Sequence, residues 1–199
     1  MIFSRRQDLE YRLDESWSDI RSIVAYGFGR NAHGEIDYLL EDIGVEFIVD
    51  NNPRHAGKLY RLVPIYALAE CVEHLAGKKI VILAIGKAEA SIRESLSMYG
   101  FTEGKDFCDV KTFISEWHLR FRNMICLPQV LQRVTLRCTL NCIKCSAFIP
   151  YIADKKDMYL EMLKADLDAL LSKVDHIVNL RLLGGEPFIY DHLGGILTI

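Results

Sequence analysis

The chain has 199 residues, of which half are apolar and 26% charged, and its 24 basic and 27 acidic side chains give a formal net charge of −3. This composition is typical of a globular protein and excludes a collagenous or disordered chain. Because nucleic-acid binding needs a strongly basic face, a nucleic-acid partner is not expected. The best apolar run, Ile80 to Ile85, has only a strand's length, and the charged N-terminus lacks the apolar core of a secretory signal. We therefore expect a cytoplasmic protein without a membrane partner.

The first third of the sequence alternates between strand and helix patterns. RSIVAY (21–26) and VEFIVD (45–50) are apolar runs of strand length, and apolar residues recur at helical spacing between them. The turn-forming segment NNPRHAG (51–57) follows. Pro64 is then placed near the start of a helix that runs towards Gly77.

The alternation continues after Gly77. KKIVILAI (78–85) is predicted to be a buried strand, and Ile92, Leu96 and Tyr99 indicate a helix that Gly100 ends. Strands that alternate with helices of this length predict a parallel sheet with helices packed on it. We therefore predict an α/β fold, with a Rossmann-like domain over residues 1–120 and a linking helix over 109–124.

A glycine pattern lies between the first predicted strand and helix. Gly27, Gly29 and Ala32 form G-x-G-x-x-A, and Asp50 ends the second predicted strand. This pattern allows a tight turn, close approach of the backbone to a pyrophosphate, and a carboxylate for ribose hydroxyls. A bound nucleotide or nucleotide-sugar is one interpretation; a ligand-free scaffold or partner-docking module is the other.

The same region loosely resembles Rossmann-like modules that accompany sugar-modifying enzymes and methyltransferases. The similar pieces are AYGFGRNA, IVDNNPRHAG and IVILAIGKAEASI. Such a resemblance implies the fold and does not identify a ligand.

A second alternation begins near residue 125. VLQRVTLR (130–137) is predicted to be a strand, leucines at helical spacing follow over 160–174, and HIVNLRLLGG (176–185) is the next strand. One β-α-β unit cannot cover both faces of a parallel sheet. We therefore expect residues 121–199 to be the opening part of a larger, truncated domain.

Three of the six cysteines lie in the loop CTLNCIKC directly after the predicted strand. Cys138, Cys142 and Cys145 have C-x3-C-x2-C spacing, which allows three thiolates to converge on one centre. A structural zinc site needs four protein ligands, and the flanking histidines, His118 and His176, are distant in sequence. The spacing favours an iron-sulfur cluster with one open iron; a zinc site and three unrelated thiols are the alternatives. The isolated cysteines Cys71, Cys108 and Cys126 are interpreted mainly as packing residues, with an auxiliary cluster at the last two as the alternative.

Two motifs together resemble the radical S-adenosylmethionine (radical SAM) superfamily. VTLRCTLNCIKCSAF is similar to its cluster-binding loop, and LRLLGGEPF, at the end of the next strand, is similar to its glycine-rich motif. The resemblance covers about residues 130–199. It implies that Cys138, Cys142 and Cys145 hold a [4Fe-4S] cluster, and that Gly184, Gly185 and Glu186 receive the amino group of S-adenosylmethionine.

The resemblance also implies a reaction. The reduced cluster cleaves S-adenosylmethionine to a 5′-deoxyadenosyl radical, which abstracts hydrogen from a small-molecule or peptide substrate, with a flavodoxin- or ferredoxin-type protein as electron donor. Lys144 departs from the family, which often has an adenine-contacting aromatic residue there. Because only the first two barrel strands are expected in 121–199, this chain alone is expected to be a fragment. The alternative is a nucleotide or nucleotide-sugar binding module with a structural metal-binding appendage.

Overall fold

The computed structural model describes residues 12–18, 20–29 and 32–197. The chain divides into two compact units, Met1–Met124 and Ile125–Ile199.

A six-stranded sheet forms the centre of the first unit. Its strands are β1 (Ile23–Tyr26), β2 (Val45–Val49), β3 (Leu59–Tyr60), β4 (Val63–Tyr66), β5 (Ile80–Ile82) and β6 (Phe107–Asp109). Their order is β3-β4-β2-β1-β5-β6, and every neighbouring pair except β3–β4 is parallel. The predicted α/β class with a mostly parallel sheet is confirmed, and this order is compatible with a Rossmann-like domain.

Helices connect these strands. They are α1 (His33–Asp42), α2 (Leu68–Cys71) with the 3₁₀ turn Val72–Leu75, and α3 (Lys87–Met98); a 3₁₀ turn, Glu15–Trp17, precedes the sheet. Leu68, Leu75 and Leu96 pack with the alternating residues Val24 and Tyr26 on one sheet face. The intervening residues of β1 are buried as well, so the central strand is covered on both faces. Gly100, with φ of +86°, follows the end of α3, as predicted.

The prediction that Pro64 starts a helix is wrong. Pro64 lies in β4, which forms a hairpin with β3, and the helix begins at Leu68 instead. The two residues at the hairpin turn, Arg61 and Leu62, have φ of +46° and +71°. A two-residue hairpin turn with positive φ is normally marked by Asn-Gly, so this turn carries no ordinary sequence signal.

The segment predicted to link the domains is packed into the first unit. It consists of α4 (Val110–Thr112), a π-helical turn (Phe113–Trp117) and α5 (His118–Arg122). Its apolar residues Phe113, Ile114 and Trp117 are fully or almost fully buried. The segment therefore encloses the core of this unit and ends just before the division at Met124.

Two pairs of parallel strands form the second unit. They are β7 (Cys126–Leu127) with β9 (His176–Ile177), and β8 (Val130–Thr135) with β10 (Leu180–Gly184). The helices are α6 (Leu160–Leu171) and α7 (Leu193–Ile196), and the 3₁₀ turns are Ile149–Tyr151 and Pro187–Ile189. Buried side chains from β8, α6, α7 and the residue after the second 3₁₀ turn share a small core, formed by Val134, Leu163, Leu167, Tyr190 and Ile196.

A helix that crosses a membrane must be both long and apolar. Within the residues that the structure describes, no helix meets both requirements.

Candidate functional site

The two motifs that resemble the radical SAM family follow neighbouring strands. The cysteine loop follows β8, and the Gly-Gly-Glu segment (184–186) ends β10. The strands are parallel, and Gly184 lies opposite Thr135 in their register. Because the carboxyl ends of parallel strands lie at one edge of a sheet, residues some forty positions apart are brought together there.

The two glycines of this segment lie against the start of the cysteine loop. A Cβ atom at Gly184 would lie 2.1 Å from the Thr135 carbonyl oxygen. At Gly185 it would lie 2.0 Å from the Arg137 carbonyl oxygen and 2.7 Å from Cβ of Cys138. Neither position has room for a side chain, so glycine is required at both for this segment to lie against the cysteine loop.

Glu186 joins the two motifs by hydrogen bonds. Its amide N–H donates to the Arg137 carbonyl oxygen at 2.9 Å, and its carboxylate accepts from the Thr139 hydroxyl at 2.5 Å. Thr139 directly follows Cys138. The carboxylate predicted to receive an ammonium group is therefore held beside the first cysteine.

Arg137 precedes Cys138 and contacts several segments of the unit. Its guanidinium donates to Asp157 from two nitrogens, at 3.0 and 2.6 Å, and to the Ile189 carbonyl at 2.8 Å. Asp191 lies 3.2 Å from the same group. Burial disfavours ionisation of Asp157, but its bonds with Arg137 and Thr135 outweigh that cost and lower the pKa of the carboxyl.

The three loop cysteines are free thiols that face solvent to different degrees. Cys142 is exposed, and Cys138 and Cys145 are partly buried. The Leu140 amide lies 3.4 Å from Sγ of Cys138. Across residues 12–18, 20–29 and 32–197, no three His, Cys, Asp or Glu side chains converge as a metal-binding group. The donor set fits a thiolate-bound cluster, but the three thiols would have to turn towards one centre to hold it.

A cavity of about 430 Å³ opens beside the carboxyl ends of β1 and β5 in the first unit. The strands that follow β1 are added on one side of it, as β2 and β4, and then on the other side, as β5 and β6. The strand order therefore reverses between β1 and β5, which is where α/β sheets bind ligands. Gly27, Gly29 and Asp50, which the sequence analysis assigns to a nucleotide site, line the cavity. The other lining residues, which sequence reasoning did not select, include Tyr26, Asn51, Asn52, Leu83, Ile85, Ala88, Ser91 and Ile92.

The two glycines of the pattern differ in their surroundings. Gly27 has φ of +94°, and a Cβ there would lie 2.9 Å from Cβ of Ala84. Among the residues that the structure describes, none has an atom within 4 Å of a Cβ placed at Gly29. Gly27 is therefore required by the turn itself, whereas Gly29 leaves open space at the cavity.

Asp50 binds the backbone of its own unit. Its carboxylate accepts from the amide N–H of Phe28 at 2.5 Å and of Asn52 at 2.7 Å. Nδ1 of His55 lies 3.5 Å from the same carboxylate. The residue predicted to bind ribose hydroxyls thus already fixes the glycine turn, with part of its acceptor capacity left at the cavity.

Phe28, in the middle of the glycine turn, is buried beneath other rings. Its ring centroid lies 4.8 Å from those of His33 and Tyr60 and 5.5 Å from that of His55. These contacts join the turn to α1, to the loop after β2 and to β3, and no spacing in the sequence connects the four rings.

Tyr26 also lines the cavity. Burial raises the pKa of Tyr26 to about 12, so its hydroxyl remains a neutral hydrogen-bonding group.

The remaining cysteines are buried among apolar side chains. Cys71, Cys108 and Cys126 are each at most 3% exposed. Burial raises the pKa of the Cys71 thiol to about 11 and raises that of Cys108 well above its ordinary value. Both observations fit the packing interpretation.

Comparisons of this chain with protein-family models, with curated proteins and with solved structures give no match.

Proposed function

We propose that the chain carries the cluster-binding part of a radical SAM iron-sulfur enzyme. The observation that supports this is the packing of the Gly-Gly-Glu segment on the cysteine loop, with Glu186 bonded to Thr139. A Gly-Gly pair that merely closed a strand would not have to approach a cysteine loop so closely. The second unit is accordingly proposed to be the N-terminal part of a radical SAM barrel.

The proposal gives each motif residue a role. Cys138, Cys142 and Cys145 would hold a [4Fe-4S] cluster, which supplies one-electron reduction of S-adenosylmethionine when bound. Gly184 and Gly185 would present backbone carbonyls, and Glu186 a carboxylate, to the ammonium group of S-adenosylmethionine. The enzyme would act in the cytoplasm on a small-molecule or peptide substrate, with a flavodoxin- or ferredoxin-type electron donor.

Anaerobic reconstitution with iron and sulfide tests this assignment. Wild-type protein is expected to bind about four irons per chain, in line with a [4Fe-4S] cluster, and to show the corresponding EPR signal after reduction. Cys142→Ala is expected to lose the cluster. The matched control is Cys126→Ala, which removes a thiol from the same unit but outside the loop and is expected to retain it.

Three outcomes contradict the assignment. Wild-type protein could fail to bind a cluster, Cys142→Ala could bind as much iron as wild type, or metal analysis could find one tightly bound zinc instead of iron.

A second candidate function is supported by the cavity in the first unit. We propose that a nucleotide or nucleotide-sugar binds there, because the cavity lies at the reversal of strand order and has the size of a small-molecule site. Asp50, Asn51 and Asn52 present polar atoms on one wall, whereas Ala88 and Ile92 of α3 form an apolar wall. A ligand with a flat apolar part and several hydroxyl groups matches both walls.

Two alanines of the same helix provide a matched test of this candidate. Ala88 and Ala90 are both exposed on α3, but only Ala88 lines the cavity. Calorimetry with NAD, UDP-glucose and other nucleotides is expected to detect binding to wild type and to Ala90→Trp, and at least about tenfold weaker binding to Ala88→Trp. Absence of binding to wild type, or equal binding to both variants, contradicts the candidate.

A further inference from the structure

Arg137 holds together four segments of the second unit. Its amide N–H donates to the Thr135 hydroxyl at 2.9 Å, and its carbonyl accepts the amide N–H of Glu186. Its guanidinium reaches Asp157, before α6, and the Ile189 carbonyl, in the turn after Glu186. The end of β8 and the Gly-Gly-Glu segment therefore contact the backbone of Arg137, whereas the segment before α6 and the turn after Glu186 contact its guanidinium.

The shape of the guanidinium explains why these contacts need arginine. A planar fork donates in parallel to both oxygens of Asp157 while another N–H reaches a carbonyl. A lysine ammonium carries the same charge but cannot reproduce that arrangement. The Arg137 side chain is 38% exposed, and exposed ion pairs add little to overall stability. Its bonds therefore serve the local placement of the loops more than the stability of the unit.

The segment that these bonds hold is the one that carries Glu186. The Glu186 amide is bonded to the backbone of Arg137, and Ile189 and Asp191 contact the guanidinium of the same residue. Arg137, which directly precedes Cys138, therefore holds Glu186 through its backbone and the turn after Glu186 through its guanidinium. Without the guanidinium, the turn over 187–191 loses its bonds at Ile189 and Asp191. The turn keeps the buried side chain of Tyr190, whose hydroxyl donates to the Met158 carbonyl at 2.9 Å. Glu186 keeps its backbone bond and its bond with Thr139.

We propose that Arg137 is a positioning residue that sets the distance between the Glu186 carboxylate and the cysteine loop. This inference rests on the proposed function, in which Glu186 receives the ammonium group of S-adenosylmethionine. Arg137 contacts the loops that bind the ligand and acts through them. Asp157 takes part in this positioning because it holds the guanidinium through both of its carboxylate oxygens.

Arg137→Lys tests the proposal, with Arg133→Lys as its matched control. Arg133 lies on the same strand, β8, and is exposed. In the protein without cofactor, amide hydrogen exchange over 186–191 is expected to be about tenfold faster in Arg137→Lys and unchanged in Arg133→Lys. After reconstitution, iron per chain is expected to be unchanged in both, whereas S-adenosylmethionine is expected to bind about tenfold more weakly to Arg137→Lys alone.

Asp157→Asn is the second variant and keeps the test informative if Arg137→Lys folds poorly. It is expected to show the same faster exchange and the same weaker binding. Unchanged exchange over 186–191 in both variants, or unchanged affinity for S-adenosylmethionine in both, overturns the inference. If wild-type protein binds no cluster, the proposed function fails, and the exchange measurement still decides whether Arg137 holds the loop.

Discussion

β1 and β8 each begin a strand-loop-helix-strand segment, yet their surroundings differ. All four residues of β1 are buried, whereas β8 alternates between exposed and partly buried residues until Val134 and Thr135. β1 has a parallel neighbour on each side, β2 and β5. In the part of the chain that the structure describes, β10 is the one strand that pairs with β8, and an isolated bridge joins Thr135 at the end of β8 to Asp157. Burial of a strand is therefore set by its position in the sheet and not by its local pattern.

The same contrast extends to the motifs that follow the two strands. The glycine turn after β1 is held from within its unit by Asp50 and covered by rings around Phe28. The cysteine loop after β8 exposes Leu140 and Ile143 together with Cys142. The glycine turn is therefore fixed by contacts within its own unit, whereas the proposed cluster-binding loop presents apolar side chains and a thiol to solvent.

The largest expected difference between the units concerns their cores. Ile82→Ala removes a fully buried side chain of β5 and is expected to cost about 2–5 kcal/mol of unfolding free energy. Leu131→Ala in β8, at a side chain 57% exposed, is expected to cost less than about 1 kcal/mol. Urea unfolding measures both, and tryptophan fluorescence isolates the first unit because Trp17 and Trp117 are the chain's two tryptophans. Equal losses for the two variants would show that burial does not distinguish the strands.

The thiols provide a second contrast. With a pKa of about 11, only about one in a thousand Cys71 thiols is ionised at pH 8, and the side chain is also buried. Exposed Cys142 is expected to react with iodoacetamide at least about a hundredfold faster than Cys71 or Cys108. Pulsed alkylation followed by peptide mass spectrometry measures the rates. Comparable rates would mean that the core of the first unit opens readily.

A smaller effect is expected from the two glycines of the first motif. Gly27→Ala places a side chain at φ of +94° and against Ala84, and is expected to cost about 2 kcal/mol. Gly29→Ala meets open space at an ordinary φ and is expected to change the unfolding free energy by no more than about 0.5 kcal/mol. Urea unfolding monitored by fluorescence compares them. A larger loss of unfolding free energy for Gly29→Ala would show that Gly29 has a structural role that the described contacts do not explain.

The smallest effect is expected on acidification. Burial disfavours ionisation of Asp109, but bonds from Thr112 and the charges of Arg12 and Arg93 outweigh it and lower the pKa of the carboxyl, as happens for Asp157 in the second unit. Because both pKa values lie below the ordinary value of 3.8, each carboxylate stabilises its unit above about pH 4, and this contribution is lost as the pH falls further.

Substituting each aspartate tests one unit at a time in an acid titration of stability. Asp109→Asn is expected to flatten the acid limb of the fluorescence-monitored stability curve, whereas Asp157→Asn is expected to leave that curve unchanged. An Asp157→Asn effect on tryptophan fluorescence would show that the units unfold together.

Local patterns were sufficient to predict the central part of the first unit. β1, α1, β2 and α3 are confirmed because their apolar spacing and bounding glycines agree with their final environment. The hairpin β3–β4 was missed because Arg61 and Leu62 adopt positive φ without glycine or asparagine. The three-residue strand β6 was missed because it is too short to display a period.

At the candidate sites too, local patterns in the sequence select motif residues but not the residues that contact them from distant positions. Motif spacing selected Cys138, Cys142, Cys145 and the Gly-Gly-Glu segment, whose roles stay predictions. It did not select Arg137 or Asp157, because their ion pair joins residues twenty positions apart through side chains that carry no periodic signal. Asp50 was selected for a ligand, yet its bonds to Phe28 and Asn52 show a structural role that spacing alone does not reveal.

The π-helical turn Phe113–Trp117 constrains how the chain can change in length. A π-helical turn contains one residue more than the α-helical turn that it interrupts. In a regular α-helix, deleting one residue rotates everything that follows by about 100°. Here the extra residue is taken up within the wide turn, so its removal would leave an α-helical turn and keep His118–Arg122 in its orientation relative to α4. A single-codon deletion in this turn is therefore expected to disrupt the segment less than the same deletion in α3 or α6, although no glycine or proline marks the site in the sequence.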